Sequence, residues 1–251
     1  METTFKDKVA IVTGGSFGIG RSAAIGFAKR GAKVVIADWV EDTETLHLIQ
    51  ALGGEALFVK CDVSSTEEVR EMVATTIKAF GRLDYAFNNA GIEGVTAITH
   101  ECTEENWEKT IGINLKGVWL CMKYEIQEML KQGKGAIVNN ASIAGLGGFP
   151  GSPAYVASKH GVLGLTRTAA LEYAKSGIRV NAVCPGVIQT PMIDRFTGAD
   201  QETVKQFESM EPIGRMGQPE EVAEAAIWLC ADAASFVTGN AMTVDGGWGA
   251  Q

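Results

Sequence analysis

Ser142, Tyr155 and Lys159 are the residues of this chain whose types and spacing could move a proton. A free phenol titrates near ~10 and is a poor acid–base group at neutral pH. A fixed positive charge close by favours the phenolate and lowers that value. Tyr155 and Lys159 stand four positions apart, which on a helix stacks them on one face. Ser142 would hold a substrate oxygen beside the phenol without itself ionising. Such a set moves one proton to or from a carbonyl or alcohol oxygen. Taken alone, the Tyr–Lys pair fits an ordinary amphipathic helix with an exposed lysine, so the surrounding elements must decide.

The stretch 139–159 reads NNASIAGLGGFPGSPAYVASK. An apolar run, Ala136-Ile137-Val138, predicts a buried parallel strand ending near Ser142. A glycine-rich loop follows, and Pro153 suits the first turn of a helix over 153–174, where its missing N–H costs nothing. Hydroxyl, phenol and ammonium would then converge on one spot.

The rest of the chain alternates strand and helix at a pace that means βαβ units and a parallel sheet. Strands are expected at 8–13, 33–38, 56–60, 83–88, 178–184 and 241–244. Helices are expected at 18–29, 42–52, 66–80, 104–130 and 219–231, with a variable stretch at 187–217. No linker, repeat or low-complexity segment interrupts them. The expected fold is α/β: one doubly wound, Rossmann-type domain over 1–251, with about seven strands flanked by helices.

A glycine loop, TGGSFGIG at 13–20, joins the first strand to the first helix. Glycines let the backbone approach a pyrophosphate, and the helix N-terminus offers free N–H groups and a favourable dipole. Gly18, Gly20 and Ala23 meet the dinucleotide pattern, and Asp38 lies twenty residues past Gly18, where an acid would bind ribose hydroxyls. The loop is longer than the commonest version. The bland reading of Asp38 is a cap for a helix starting near Asp42.

Composition excludes several classes. Net charge is −8 with no basic cluster, so no electrostatic footprint for nucleic acid or an anionic membrane is present. Apolar runs are too short to cross a bilayer, and METTFKDK lacks the apolar core of a signal peptide, so a cytoplasmic location is expected. The five cysteines show no CxxC and no metal-like spacing with histidine, and no HExxH occurs. They are read as reduced, mostly buried small hydrophobes, and no metal site is expected.

Along its whole length the chain resembles the classical short-chain dehydrogenases/reductases. The motifs that carry the resemblance are TGGSFGIG (13–20), Asp62-Val63, Asn88-Asn89-Ala90-Gly91, Asn114, Ser142, Tyr155-xxx-Lys159, and Pro185-Gly186 followed by Thr190. The resemblance implies Tyr155 as general acid–base, Ser142 as the group polarising the carbonyl, and Lys159 as the residue lowering the phenol and binding the nicotinamide ribose. Asn114 would hold a water that passes the proton towards solvent. Gly14, Ser16, Phe17, Gly18, Ile19 and Gly20 would cradle the cofactor phosphates, with Asp38 and Trp39 at the adenosine ribose. Asp62 and Val63 would flank the adenine, and Asn89, Ala90 and Gly91 would line the adenosine side. Pro185, Gly186, Ile188 and Thr190 would hold the carboxamide end. Plainer readings stay open: Asn114 as a buried helix amide, Asp62 as a helix N-cap, His160 as structural.

The coenzyme expected is NAD. Asp38 can accept from both ribose hydroxyls, whereas an NADP 2′-phosphate would bring about two negative charges against it. The positions where a compensating basic residue would sit are Phe17 and Trp39. Substrate contacts are expected from Ser142, Tyr155, Glu93, Ile143, Phe149 and Met192, a mostly apolar wall suited to a medium-sized secondary alcohol or ketone. Glu93 would bind a substrate hydroxyl or face solvent. Two alternatives differ in kind: a 3-oxoacyl-carrier-protein-type reductase, and a non-catalytic dinucleotide-sensing protein. Docking an acidic carrier favours a basic rim, yet 186–215 holds three basic residues against five acidic ones. The family resemblance also implies a homotetramer, for which Trp119, Met122, Met129, Leu163, Leu165 and Leu171 are the expected apolar contacts.

Overall fold

The computed structural model describes residues 4–41, 43–198 and 200–251. Seven strands form one sheet: β1 Val9–Thr13, β2 Lys33–Asp38, β3 Ala56–Lys60, β4 Tyr85–Asn88, β5 Gly135–Asn140, β6 Ile178–Pro185 and β7 Ala241–Val244. Their order is β3-β2-β1-β4-β5-β6-β7, and every pairing is parallel. The order reverses between β1 and β4, the switch point where open α/β sheets bind ligands.

Each central strand is buried on both faces, which explains runs such as VAIVT in place of an alternating pattern. Ile11 and Val35 point into one apolar cluster. Ala10, Val12, Val34 and Ile36 point into the other. Helices α1 Gly18–Lys29, α2 Glu44–Ala51 and α9 Pro219–Cys230 cover the latter face. Helices α3 Thr66–Phe80, α5 Gly117–Gln132 and α6 Pro153–Tyr173 cover the former. Ser65 caps α3 by accepting from the Glu68 N–H at 3.3 Å, and Pro153 opens α6 as its sequence implied.

Three expectations need correction. The helix expected over 104–130 is interrupted: α4 Glu104–Ile111 passes through a π-turn, Gly112–Lys116, before α5 begins. Asn114 sits in that turn, a place where such bulges commonly serve a site. The variable stretch 187–217 contains two helices, α7 Pro191–Thr197 and α8 Gln201–Met210. Of the apolar residues offered as intersubunit contacts, Met122, Met129 and Leu163 are buried in the chain's own core, while Trp119 and Leu171 are exposed. Asp42, where α2 was expected to begin, lies outside the described residues; the helix is seen from Glu44 with Thr43 at its N-cap.

Among the described residues no helix is long and apolar enough to cross a membrane. All five cysteines are unpaired. Burial pushes the thiols of Cys61 and Cys230 up to about 12 and Cys184 to about 11, so they serve as small apolar groups.

Candidate active site

β5 ends at Asn140, and a tight turn at Ile143–Gly145 follows Ser142. The Ser142 Oγ accepts the Ala144 N–H at 3.1 Å, which leaves its own proton free to donate. Tyr155 and Lys159, one turn apart on α6, face this turn. The Lys159 ammonium lies 5.4 Å from the centre of the Tyr155 ring and donates to the Asn140 carbonyl at 2.7 Å. A Cβ added to Gly91 would stand 3.2 Å from Asn114 Oδ1 and 3.7 Å from Lys159 Nζ. The loop after β4, the π-turn and α6 therefore meet at Gly91.

Burial raises the Tyr155 phenol above its ordinary value; hydrogen bonding with Ser142 opposes this, and the Glu93 charge adds to it. Lys159, 4% exposed, is itself driven down to about 8 by burial. The bond to the Asn140 carbonyl anchors the ammonium beside the Tyr155 ring. Asn114 is fully buried in the π-turn. Its side chain accepts from Ile92 N and donates to Ile92 O, both at 2.8 Å. That pairing pins the site loop.

The glycine loop is built as a cradle. Gly14 and Gly18 have φ of +61° and +50°, and Gly20 approaches the Gly14 carbonyl so closely that any side chain would overlap it. At Gly18 a Cβ would stand 3.1 Å from Thr190 Cγ2, so the loop after β1 and the loop after β6 form adjoining walls. Asp38, 7% exposed, accepts from Ser16 N at 3.1 Å and Val40 N at 3.2 Å. It caps Val40 and not α2, against the bland reading. Phe17 and Trp39 are exposed beside it.

Several expected cofactor residues brace the loops. Ser16 is fully buried, and its Oγ has no partner among the described residues. The Asn89 amide donates to the Thr13 and Gly14 carbonyls, both at 3.1 Å, and accepts from Asn140 at 2.9 Å. Thr13 Oγ1, which sequence reasoning passed over, accepts from Asn89 N and Ala90 N at 3.0 and 3.1 Å. Asp62 is exposed and accepts from Ser64 N and Oγ in a turn; the α3 cap is Ser65. Val63 is buried against Gly117. Gly186 donates to Val244 O at 3.0 Å, Ile188 bridges to Gly217, and Thr190, at the N-cap position of α7, donates its hydroxyl to Ile188 O at 3.2 Å.

On the substrate side, Ile143 is buried behind Ser142 and offers little open surface. Phe149 stacks on Trp248 with ring centres 5.8 Å apart, which adds Trp248 to the wall. No local pattern signalled it, because the two residues are distant in sequence. Glu93 is part-exposed and paired with α7. Arg195 of α7 grips it through Nε at 2.9 Å and a terminal nitrogen at 3.2 Å. Burial pushes the carboxyl up, but this fork outweighs it and holds Glu93 below the usual range. Arg21 was also passed over: it binds Ser16 O at 2.7 Å, Thr45 at 3.1 Å and Glu44 at 2.8 Å. Among the described residues no three His, Cys, Asp or Glu side chains converge as metal ligands would.

A family model described as enoyl-(acyl carrier protein) reductase matches residues 14–249. The chain is 46% identical over 242 residues to 2,5-dichloro-2,5-cyclohexadiene-1,4-diol dehydrogenase of Sphingobium indicum, covering 96% of each. It is 46% identical over 250 residues to cyclohexanol dehydrogenase of an Acinetobacter species, covering 99% of this chain and 97% of the relative. The chain belongs to the short-chain dehydrogenase/reductase family. A crystal structure of an Agrobacterium tumefaciens member, provisionally assigned as a 2-deoxy-D-gluconate 3-dehydrogenase and holding NADP, superposes with a TM-score of 0.91. It is 36% identical, covering 99% of this chain and 98% of that one. Members of this family use nicotinamide dinucleotides. The residues here fit such a group: the side-chain-free cradle at Gly14, Gly18 and Gly20 adjoins Thr190, with Asp38 at one end and Lys159 at the other.

Proposed function

We propose that this protein is an NAD-dependent dehydrogenase/reductase that interconverts a cyclic secondary alcohol and its ketone. The observation that carries the reading is the meeting of Ser142, Tyr155 and Lys159 at the switch point beside the glycine cradle. The ring preference rests on relatives named for a cyclohexadienediol and for cyclohexanol. An apolar wall with Phe149, Trp248 and Met192 suits such a ring. The reading treats 1–251 as one domain, supported by a single sheet whose strands run from Val9 to Val244.

The dinucleotide, when bound, supplies or accepts the hydride. Gly14, Phe17, Gly18, Ile19 and Gly20 would face its phosphates, and Asp38 its adenosine ribose. Lys159 would reach the other ribose, and Pro185, Gly186, Ile188 and Thr190 the carboxamide. Ser142, whose oxygen already accepts from Ala144, donates to the substrate oxygen and orients it. Tyr155 takes the hydroxyl proton in oxidation and returns it in reduction. The part-buried, raised phenol places that transfer on the alkaline side for oxidation. Lys159, anchored by Asn140, holds positive charge beneath the ring.

NAD preference follows from Asp38. Its two backbone hydrogen bonds leave lone pairs for ribose hydroxyls, whereas a 2′-phosphate would press about two negative charges on it. Partly screened, that clash costs on the order of 2–4 kcal/mol, roughly a hundredfold in affinity. Arg21 is the nearby cation, and its bonds run to Ser16 and to Glu44. The carrier-protein alternative is disfavoured because Arg195 and Arg215 of the rim are bound to Glu93 and Glu221. A sensing protein would gain nothing from keeping a buried lysine beneath an intact Ser–Tyr pair. The exposed Trp119 and Leu171 suit helix-to-helix contacts of a homotetramer, and light scattering showing a monomer at micromolar concentration would refute that assembly.

The test is turnover of cyclohexanol and cyclohexanone with each coenzyme. The expected result is a kcat/KM with NAD at least about tenfold above that with NADP, narrowed or reversed by Asp38→Ala with Trp39→Arg. Tyr155→Phe is expected to remove about a hundredfold or more of kcat while dinucleotide affinity stays within a few-fold. Retention of more than about a tenth of kcat at neutral pH would refute the acid–base role.

A further inference from the structure

The loop after β6 is held by bonds to its main chain. Gly186 N donates to Val244 O at 3.0 Å, and Gln189 N donates to Gly217 O at 2.9 Å. The Val187 carbonyl accepts from Gly217 N at 2.9 Å, and the Ile188 carbonyl accepts from the Thr190 hydroxyl at 3.2 Å. One distant side chain joins this set. Glu211, directly after α8, accepts the Val187 N–H on Oε1 at 2.7 Å. Over 186–189 the Ile188 N–H is then the one main-chain donor without a partner among the described residues.

Glu211 is costly where it sits. It is only 3% exposed, and its Oε2 has no partner among the described residues. Burial raises the carboxyl above its ordinary value, the Val187 bond opposes this, and the Asp245 charge adds to it. A polar oxygen left buried and unpaired costs free energy, and the bond made by Oε1 is what offsets it. The fold also leaves room for this carboxyl. A Cβ on Gly186 would stand 2.7 Å from Glu211 Oε1 and 2.9 Å from Asp245 Cα, and one on Gly246 would stand 3.1 Å from Oε2. The side chain thus fits between the loops after β6 and β7 because both have glycine there.

We propose that Glu211 is a positioning residue for the nicotinamide end of the cofactor. By holding the Val187 N–H it fixes the course of the main chain that leaves the Ile188 N–H free for the carboxamide. It acts through the loop and not on the reacting atoms. The role rests on the reading that this loop holds the carboxamide; the bond that carries it is tested without any ligand.

Glu211→Met keeps the length of the side chain and removes the carboxyl acceptor, whereas Glu211→Gln keeps an oxygen for the Val187 N–H. Both would be compared with the wild type, folding being checked by circular dichroism. Hydrogen exchange of the Val187 amide in the ligand-free protein reads the bond. It is expected to be about tenfold faster or more in Glu211→Met and within about threefold of wild type in Glu211→Gln. Titration with NADH and with ADP-ribose, which lacks the nicotinamide ring, reads the role. Glu211→Met is expected to weaken NADH binding about fivefold or more while ADP-ribose stays within about twofold, and Glu211→Gln to stay within about twofold for both. Unchanged Val187 exchange in Glu211→Met overturns the bond. Equal changes in NADH and ADP-ribose affinity in that variant overturn the role, since a merely looser fold would weaken both alike. Wild-type protein that binds neither molecule would refute the dinucleotide reading itself, and the role with it.

Discussion

A methyl group added to Gly20, in the cradle after β1, would overlap the Gly14 carbonyl oxygen, whereas one added to Gly147 or Gly148, after β5, would meet nothing within 4 Å. The two sides of the cleft are thus held by different means. On the cofactor side, main chain packs against main chain, and Thr13, Asn89 and Asp38 tie three strand ends together. On the substrate side, α7 meets the loop after β4 through a part-exposed ion pair and α8 through a ring contact. The cofactor is shared across the family and demands a fixed shape. The substrate side must admit and release a ligand, which requires contacts that can break.

The largest expected effect breaks the rigid side. Gly20→Ala is expected to destabilise the protein by on the order of 3 kcal/mol and to abolish dinucleotide binding, because the obstacle is main chain that cannot move aside. Thermal unfolding together with cofactor fluorescence titration checks it. Wild-type affinity in that variant would mean the cradle is looser than its packing shows.

A smaller effect concerns the body beneath the cradle. Glu125 of α5 is fully buried, accepts from Asn88 at 3.0 Å, and is pushed up to about 8 by burial against that hydrogen bond. In the unfolded chain the same carboxyl titrates near ~4.3. Between these values the folded protein keeps a proton that the unfolded chain has released. Stability from this group is therefore greatest below the unfolded value and declines as pH rises to about 8, where the folded group ionises too. Glu125→Gln is expected to flatten that decline and raise stability at pH 8 by about 1–2 kcal/mol. Denaturant unfolding at pH 5 and pH 8 measures it, and equal slopes in both proteins would contradict a neutral buried acid.

The smallest effect falls on the open side. Gly147→Ala is expected to change stability by less than about 0.5 kcal/mol and leave dinucleotide affinity untouched. A loss comparable to that of Gly20→Ala would erase the contrast between the two sides.

Much of this was legible in the chain itself. VAIVT, KVVIAD and their successors are continuous apolar runs because parallel strands are covered on both faces. The four-residue spacing of Tyr155 and Lys159 needed only helical geometry to bring them together. The fate of charged and amide side chains was not legible. Asn114 pairs with the Ile92 peptide, because the π-turn aims its amide at the neighbouring loop. The Lys159 ammonium is anchored on the Asn140 carbonyl, a partner nineteen residues away that helical spacing does not reveal.

The sequence by itself determined the succession of strands and most of the helices between them, the glycine cradle and the Ser–Tyr–Lys set, since each depends on neighbours a few residues away. Only the tertiary structure decided that Arg195 meets Glu93, that Trp248 stacks on Phe149 and that Glu125 lies without water. Those pairs are separated by about a hundred positions or rest on burial from several elements at once. Hydrophobic periodicity reports which face of an element is covered. It carries no record of which distant side chain arrives to cover it.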